Sequence, residues 1–120
     1  AVEGTLMSAI RVTRAVLPAM RAARWGRIVN ISSSGVRQPV PGLTLSNSVR
    51  MAVLGWAKTL AGQVAADGIL VNTVCPGWTL TDRVTQLLGD RAGASGRSEA
   101  DLAAEIAADI PLGRMGRAEE

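Results

Sequence analysis

Residues 27–33 read RIVNISS, a short run whose Ile28, Val29 and Ile31 are β-branched. Residues 69–74 read ILVNTV, a second run of the same kind. Apolar residues on successive positions, bounded by glycine and turn residues, read as strands buried on both faces of a sheet. Between them, residues 46–66 have the length and composition of a helix. A strand, a crossover helix and a strand predict parallel pairing, because a tight hairpin cannot join parallel strands.

Residues 5–24, TLMSAIRVTRAVLPAMRAAR, read as a helix in front of the first strand. Arg11, Arg14, Arg21 and Arg24 recur along one side. Leu6, Ile10, Val16, Leu17 and Met20 form an apolar face opposite. Pro18 is expected to kink this helix, since its ring blocks the bond to residue 14. Gly26 is expected to cap its C-terminus. The segment 35–42, GVRQPVPG, is a loop.

For helix 46–66, Ser46 or Asn47 is the expected N-cap, because either side-chain oxygen can take a free backbone N–H. The helix is apolar around most of its circumference, so burial on more than one side is expected. Two weaker helices are expected near 81–89 and 98–109, separated by GDRAGASGRS. Asp82 suits the positive end of a helix dipole, and Glu119 and Glu120 read as a helix start. Two strands do not make a stable sheet alone, so their edges are expected to pair with strands outside these residues. The chain therefore reads as a piece of a longer protein, truncated at both ends.

Composition narrows the function. Hydrophobic residues make up 48% of the 120 and charged residues 19%, a globular profile. No apolar run reaches the length of a membrane span, and no segment reads as a secretory signal. The net charge is +3, with twelve arginines and one lysine scattered singly. Three tryptophans are the only aromatics, too few for a base-stacking platform, so nucleic acid is not an expected partner. The single cysteine, Cys75, excludes an intrachain disulfide and fits a reducing cytoplasm. The absence of histidine excludes His-based metal sites and Ser-His-Asp catalysis within these residues.

Four segments occur in a telling order: TRAVLPAM then GRIVNISS, LTLSNSVRMAVLGWAKTLA at 43–61, GILVNTVCPGWTLT at 68–81, and IPLGRMGRAEE at 110–120. Together they resemble the short-chain dehydrogenase/reductase family, in particular members similar to 3-oxoacyl-acyl-carrier-protein reductases. The resemblance covers essentially the whole chain. It implies an α/β fold, the C-terminal half of a Rossmann-like doubly wound parallel sheet, as one partial domain over 1–120. That domain would lack the N-terminal dinucleotide-binding half and the last strand. It also implies a cytoplasmic NAD- or NADP-dependent oxidoreductase interconverting a carbonyl and a secondary alcohol, with 3-oxoacyl thioesters as the leading substrate.

The resemblance assigns site residues one by one. Ser33 matches the serine that polarises the substrate carbonyl. Ser46 stands where the family has its catalytic tyrosine, and Arg50, four residues on, where it has lysine. Thr5 stands where a helical asparagine completes the proton relay. Arg50 would also bond the cofactor ribose. Pro76, Gly77, Thr79 and Thr81 match the loop over the nicotinamide, with backbone contacts at Thr79 and a hydroxyl contact at Thr81. Trp78 reads as pocket wall or core, Cys75 as a small buried residue, and Ser32, Ser34, Asn30 and Asn72 as structural. Helices 5–24 and 46–66 would pair between subunits of a homodimer or homotetramer.

The replacements change the chemistry. A tyrosine phenol has a pKa near 10 that a neighbouring cation lowers, and a general acid works best near the working pH. A serine hydroxyl is a far weaker acid, and arginine does not titrate near neutrality. Their spacing still places Ser46 and Arg50 on one helix face. Two mechanisms stay open. In one, Arg50 and Ser33 polarise a carbonyl while water donates the proton. In the other, the fold binds ligand as a scaffold with little redox chemistry. Dehydration or isomerisation in the same pocket is a third possibility.

Overall fold

The two apolar runs pair side by side. β1 (Gly26–Ile31) and β2 (Ile69–Val74) run parallel, with Gly26 opposite Ile69 and Ile31 opposite Val74. The computed structural model describes residues 1–120, which divide into two units, Ala1–Pro76 and Gly77–Glu120.

In the first unit the leading helix starts earlier than its pattern suggests. A π-helical turn over Val2–Met7 runs into α1 (Ser8–Ala23), which continues as one element through Pro18. The expected cap at Gly26 is displaced to Arg24, which takes the left-handed conformation at φ 52°. Gly26 instead opens β1, where a Cβ would lie 2.6 Å from Met20 Sδ. A non-glycine residue at positive φ is strained, and Arg24 is held there from outside. Its guanidinium bonds the Asp67 carboxylate at 3.1 Å and the Ala66 carbonyl at 2.8 Å.

α2 (Thr44–Val64) begins two residues before the expected start, with Leu43 at the N-cap and no side-chain cap. Neither Ser46 nor Asn47 caps it. Asn47 Nδ2 donates to the Val40 carbonyl at 3.0 Å, bracing the incoming loop. Val49, Val53, Ala57 and Val64 are buried, a single stripe at i, i+4 spacing. Leu45 and Met51 are exposed, so the expectation of burial on several sides is not met within this chain.

The sheet has one covered face. α1 packs on β1 and α2 on β2, over Ile28, Asn30, Ile69, Val71 and Thr73. On the other face Val29 and Ile31 keep 58% and 66% of their surface, and Leu70 and Val74 keep 48% each. Burial on both faces is therefore not seen, because no helix of this unit reaches that side. Ile69 and Val64 are the largest fully buried side chains. Ile69→Ala in the full-length protein is expected to lower the unfolding free energy by about 2–5 kcal/mol, read from a denaturant titration.

The second unit holds a short parallel pair that the sequence pattern does not announce, β3 (Thr79–Leu80) with β4 (Gly116–Arg117). α3 (Asp82–Ser95) runs past the expected end at 89 and stops only where Gly96 takes φ 70°. α4 (Glu99–Ala108) starts at a capping Ser98, whose Oγ accepts the Asp101 N–H at 3.1 Å.

Glu120 is held by a clasp of its own. Arg114 donates both terminal nitrogens to its carboxylate, at 2.9 and 2.7 Å, and the Arg117 backbone N–H adds a bond at 2.7 Å. The Arg114 bond, then the Arg117 bond, hold the Glu120 carboxyl well below the ordinary glutamate range, at about 2. Because the folded value is depressed, the clasp is complete above the ordinary glutamate range and opens as pH falls through about 2. A pH titration of the Glu120 side-chain carbonyl by NMR should show this low midpoint.

Candidate active site

The site forms where β1 and β2 end. After Ile31 the chain stays tied to its neighbour, since the Ser32 N–H donates to Val74 O at 2.8 Å and the Ser34 N–H to Pro76 O at 2.9 Å. Ser33 lies between these two bonds in extended conformation and caps a short 3-10 turn over Ser34–Val36. Its Oγ accepts the Gly35 N–H at 3.2 Å. That bond occupies a lone pair and leaves the hydroxyl proton to donate elsewhere. Carboxyl ends of parallel strands are where ligands bind in open α/β sheets.

The first turns of α2 bring Ser46 and Arg50 together. Arg50 Nε donates to Ser46 Oγ at 3.3 Å, and Arg50 Nη1 donates to the Ser32 carbonyl at 3.2 Å. The guanidinium thus bridges the helix and the end of β1. Arg50 and Ser46 are both half-buried. Two of the five guanidinium N–H donors are used, which leaves three for a ligand. The chain's salt bridges do not include Arg50.

A cavity of about 450 Å³ lies against Arg50, walled by Thr5, Ser8, Asn30, Ser32, Arg50 and Val53 among others. Ser33 and Ser46 are not among its lining residues. Thr5 reaches it from the π-helical turn. Asn30 Nδ2 and Ser32 Oγ are buried without a hydrogen-bond partner. Ser32 keeps only 9% of its surface. A buried polar atom without a partner is costly and calls for a reason.

Asn30 and Ser32 were expected to be structural, and the structure leaves a polar atom of each buried without a partner. The available signal was their spacing. Residues at i and i+2 of a strand share a face, so two polar side chains in an apolar run mark one polar patch. Asn72 falls on the exposed face of β2 instead, and Cys75 is half-buried with a free thiol.

The residues expected at the nicotinamide fall on both units. Pro76 closes the first, with its carbonyl accepting from Ser34. Gly77, Thr79 and Thr81 belong to the second. Thr79 opens β3, and the neighbouring Trp78 carbonyl accepts the Gly116 N–H at 2.9 Å. Thr81 occupies the N-cap of α3, yet its hydroxyl makes no capping bond.

Known proteins match this chain over nearly its whole length. A family model described as enoyl-(acyl carrier protein) reductase matches residues 1–120. The 3-oxoacyl-acyl-carrier-protein reductase FabG of Haemophilus influenzae is 36% identical over 118 residues, which are 98% of this chain and 44% of that protein. The putative ketoacyl reductase of the monensin polyketide synthase from Streptomyces virginiae is 35% identical over 121 residues, 99% of this chain and 46% of its own length. Among solved structures, a variant of actinorhodin polyketide ketoreductase with NADPH superposes with a TM-score of 0.86 at 35% identity. That match covers 97% of this chain and 45% of the other. The chain thus spans under half the length of these relatives. Strand order, helix positions and sequence concur that the chain belongs to the short-chain dehydrogenase/reductase family.

Proposed function

We propose that the full-length protein is an NAD(P)-dependent oxidoreductase that interconverts a carbonyl and a secondary alcohol at a rebuilt site of Ser33, Ser46 and Arg50. The observation that carries this reading is the Arg50 guanidinium, anchored on Ser46 Oγ and the Ser32 carbonyl with three N–H groups unused. A charge fixed in this way needs no rearrangement when negative charge develops on a nearby oxygen. The Ser33 hydroxyl is held by Gly35 and keeps its proton to donate to the substrate carbonyl.

The residues of each unit, taken by themselves, are of the kind that meets a nicotinamide cofactor. In the first, Arg50 offers donors for ribose hydroxyls and Pro76 begins the loop; in the second, the Thr81 hydroxyl makes no capping bond, and it and the backbone of Gly77 and Thr79 suit a carboxamide. When bound, the cofactor supplies the hydride. A serine hydroxyl is too weak an acid for the tyrosine's role, so water donates the proton and Ser46 orients it. The substrate class is a ketone or its alcohol, with 3-oxoacyl thioesters, the substrates named for FabG, as the first to test.

The assembly we propose is a homodimer or homotetramer in the cytoplasm, formed through α1 and α2. It is supported by the exposed Leu45 and Met51 of α2 and Val12 and Val16 of α1. No helix here is long and apolar enough to cross a membrane.

The deciding experiment titrates full-length protein with NADH and NADPH, followed by cofactor fluorescence, and then assays 3-oxoacyl and simple ketone substrates. Saturable binding with turnover is the expected result. Absence of binding to either cofactor would sink the oxidoreductase reading, and binding with no turnover on any carbonyl would favour a ligand-binding scaffold.

A further inference from the structure

Three side chains converge on one glycine beside the site. Gly35 is buried in the 3-10 turn that follows Ser33. A Cβ there would lie 3.0 Å from Asn47 Oδ1, 3.5 Å from Ser33 Oγ and 3.7 Å from Val40 Cγ2. The Gly35 N–H itself donates to Ser33 Oγ at 3.2 Å. Asn47, half-buried and next in sequence to Ser46, therefore rests its amide oxygen on the turn that carries Ser33. Its amide nitrogen faces the connecting loop, where Nδ2 donates to the Val40 carbonyl at 3.0 Å. The Leu43 N–H donates to the same carbonyl at 3.2 Å, and the Asn47 N–H to the Leu43 carbonyl at 2.8 Å. Residues 37–39 and 41–42 of that loop are exposed, so it has little packing of its own to hold it.

We propose that Asn47 is a positioning residue that sets the Ser33 turn against Ser46 and Arg50, and that position 35 is glycine because the Asn47 amide occupies the space of a side chain there. The inference rests on the reading of Ser33, Ser46 and Arg50 as the site and deepens it. Ser33 comes from the exit of β1, whereas Ser46 and Arg50 come from α2. Asn47 touches both sides of that junction, one side chain spanning the turn, the loop and the helix. A misplacement of about 1 Å at a reacting centre costs about 10² in rate, so a slacker junction lowers turnover without removing any group that binds cofactor.

The test compares full-length variants by steady-state kinetics with acetoacetyl-CoA, by cofactor binding and by amide exchange. Asn47→Ala is expected to lower kcat about tenfold while the cofactor Kd stays within about twofold of wild type. Asn47→Asp keeps the side-chain volume but loses the donor, and is expected to show the same loss without a cavity. Gly35→Ala presses on the Asn47 amide and is expected to lower kcat about threefold. In the Asn47→Ala background, where that space is open, it is expected to add nothing. The Gly35 and Val36 N–H groups both bond Ser33, and their exchange is expected to quicken about tenfold in both Asn47 variants. A fall in Tm with kcat at the wild-type level overturns the proposal, and so do losses that simply add in the double variant. Wild-type exchange at Gly35 and Val36 in both Asn47 variants overturns it even where no turnover is seen. Absence of cofactor binding in the wild-type protein is instead the failure of the oxidoreductase reading.

Discussion

Arg50→Ala in the full-length protein is expected to lower kcat/KM by about 10²–10³, the range seen when one fixed oxyanion donor is removed. The substitution deletes the only charge at the site and frees Ser46 Oγ and the Ser32 carbonyl at once. Arg50→Lys is expected to restore only part of the loss, because an ammonium cannot reproduce the planar fork. The pH profile adds a readout that structural damage alone would not move. A site built on a serine hydroxyl and a guanidinium has no general acid suited to neutral pH, so the wild-type rate should be level from about pH 6 to 9. Combining Ser46→Tyr with Arg50→Lys should introduce a pH-dependent limb. A wild-type bell-shaped profile, or full activity in Arg50→Ala, would show that proton transfer runs through other groups.

Gly68→Ala is expected to be the most damaging small substitution, costing about 3–5 kcal/mol from left-handed strain and steric overlap together. Gly68 turns α2 into β2 at φ 74°, where L residues are strained. A Cβ there would collide with the backbone carbonyl oxygen of Arg24, which belongs to another turn and cannot swing away like a side chain. Arg24 is itself at positive φ and clamped to Asp67 and Ala66, so neither turn can yield without the other. A fall in the unfolding midpoint of the full-length protein checks this. The neighbouring change Gly26→Ala meets the flexible Met20 side chain and should cost less. Equal stability of the two variants would refute the argument.

Much of the fold was legible because its signals are local. The strand runs at 27–33 and 69–74, and the parallel pairing implied by the helix between them, follow from side-chain branching and connection length. The boundaries were less legible. Ser46 looks like an N-cap by residue type, yet α2 starts at Thr44 because Asn47 braces the preceding loop instead. Gly26 looks like a helix cap, yet close packing against Met20 fixes it in β1 and passes the left-handed position to Arg24. The bonds from Arg114 and Arg117 to Glu120 sit beside a two-residue strand pair too short to show a pattern.

The candidate site divides along the same line. Sequence alone determined that Ser46 and Arg50 lie one helical turn apart, because the 3.6-residue period requires it, and that Ser33 falls at the exit of the first strand. It also showed that none of these 120 residues is a tyrosine. Only the tertiary structure decided what Arg50 touches. The Ser32 carbonyl is 18 residues away along the chain and meets Arg50 only when α2 packs against the sheet. That same packing buries Asn30 and Ser32 without partners and joins Thr5 to them around one cavity. Periodicity specifies which residues share a face of their own element. The hydrogen bonds and charges met across elements depend on packing, which no local pattern encodes.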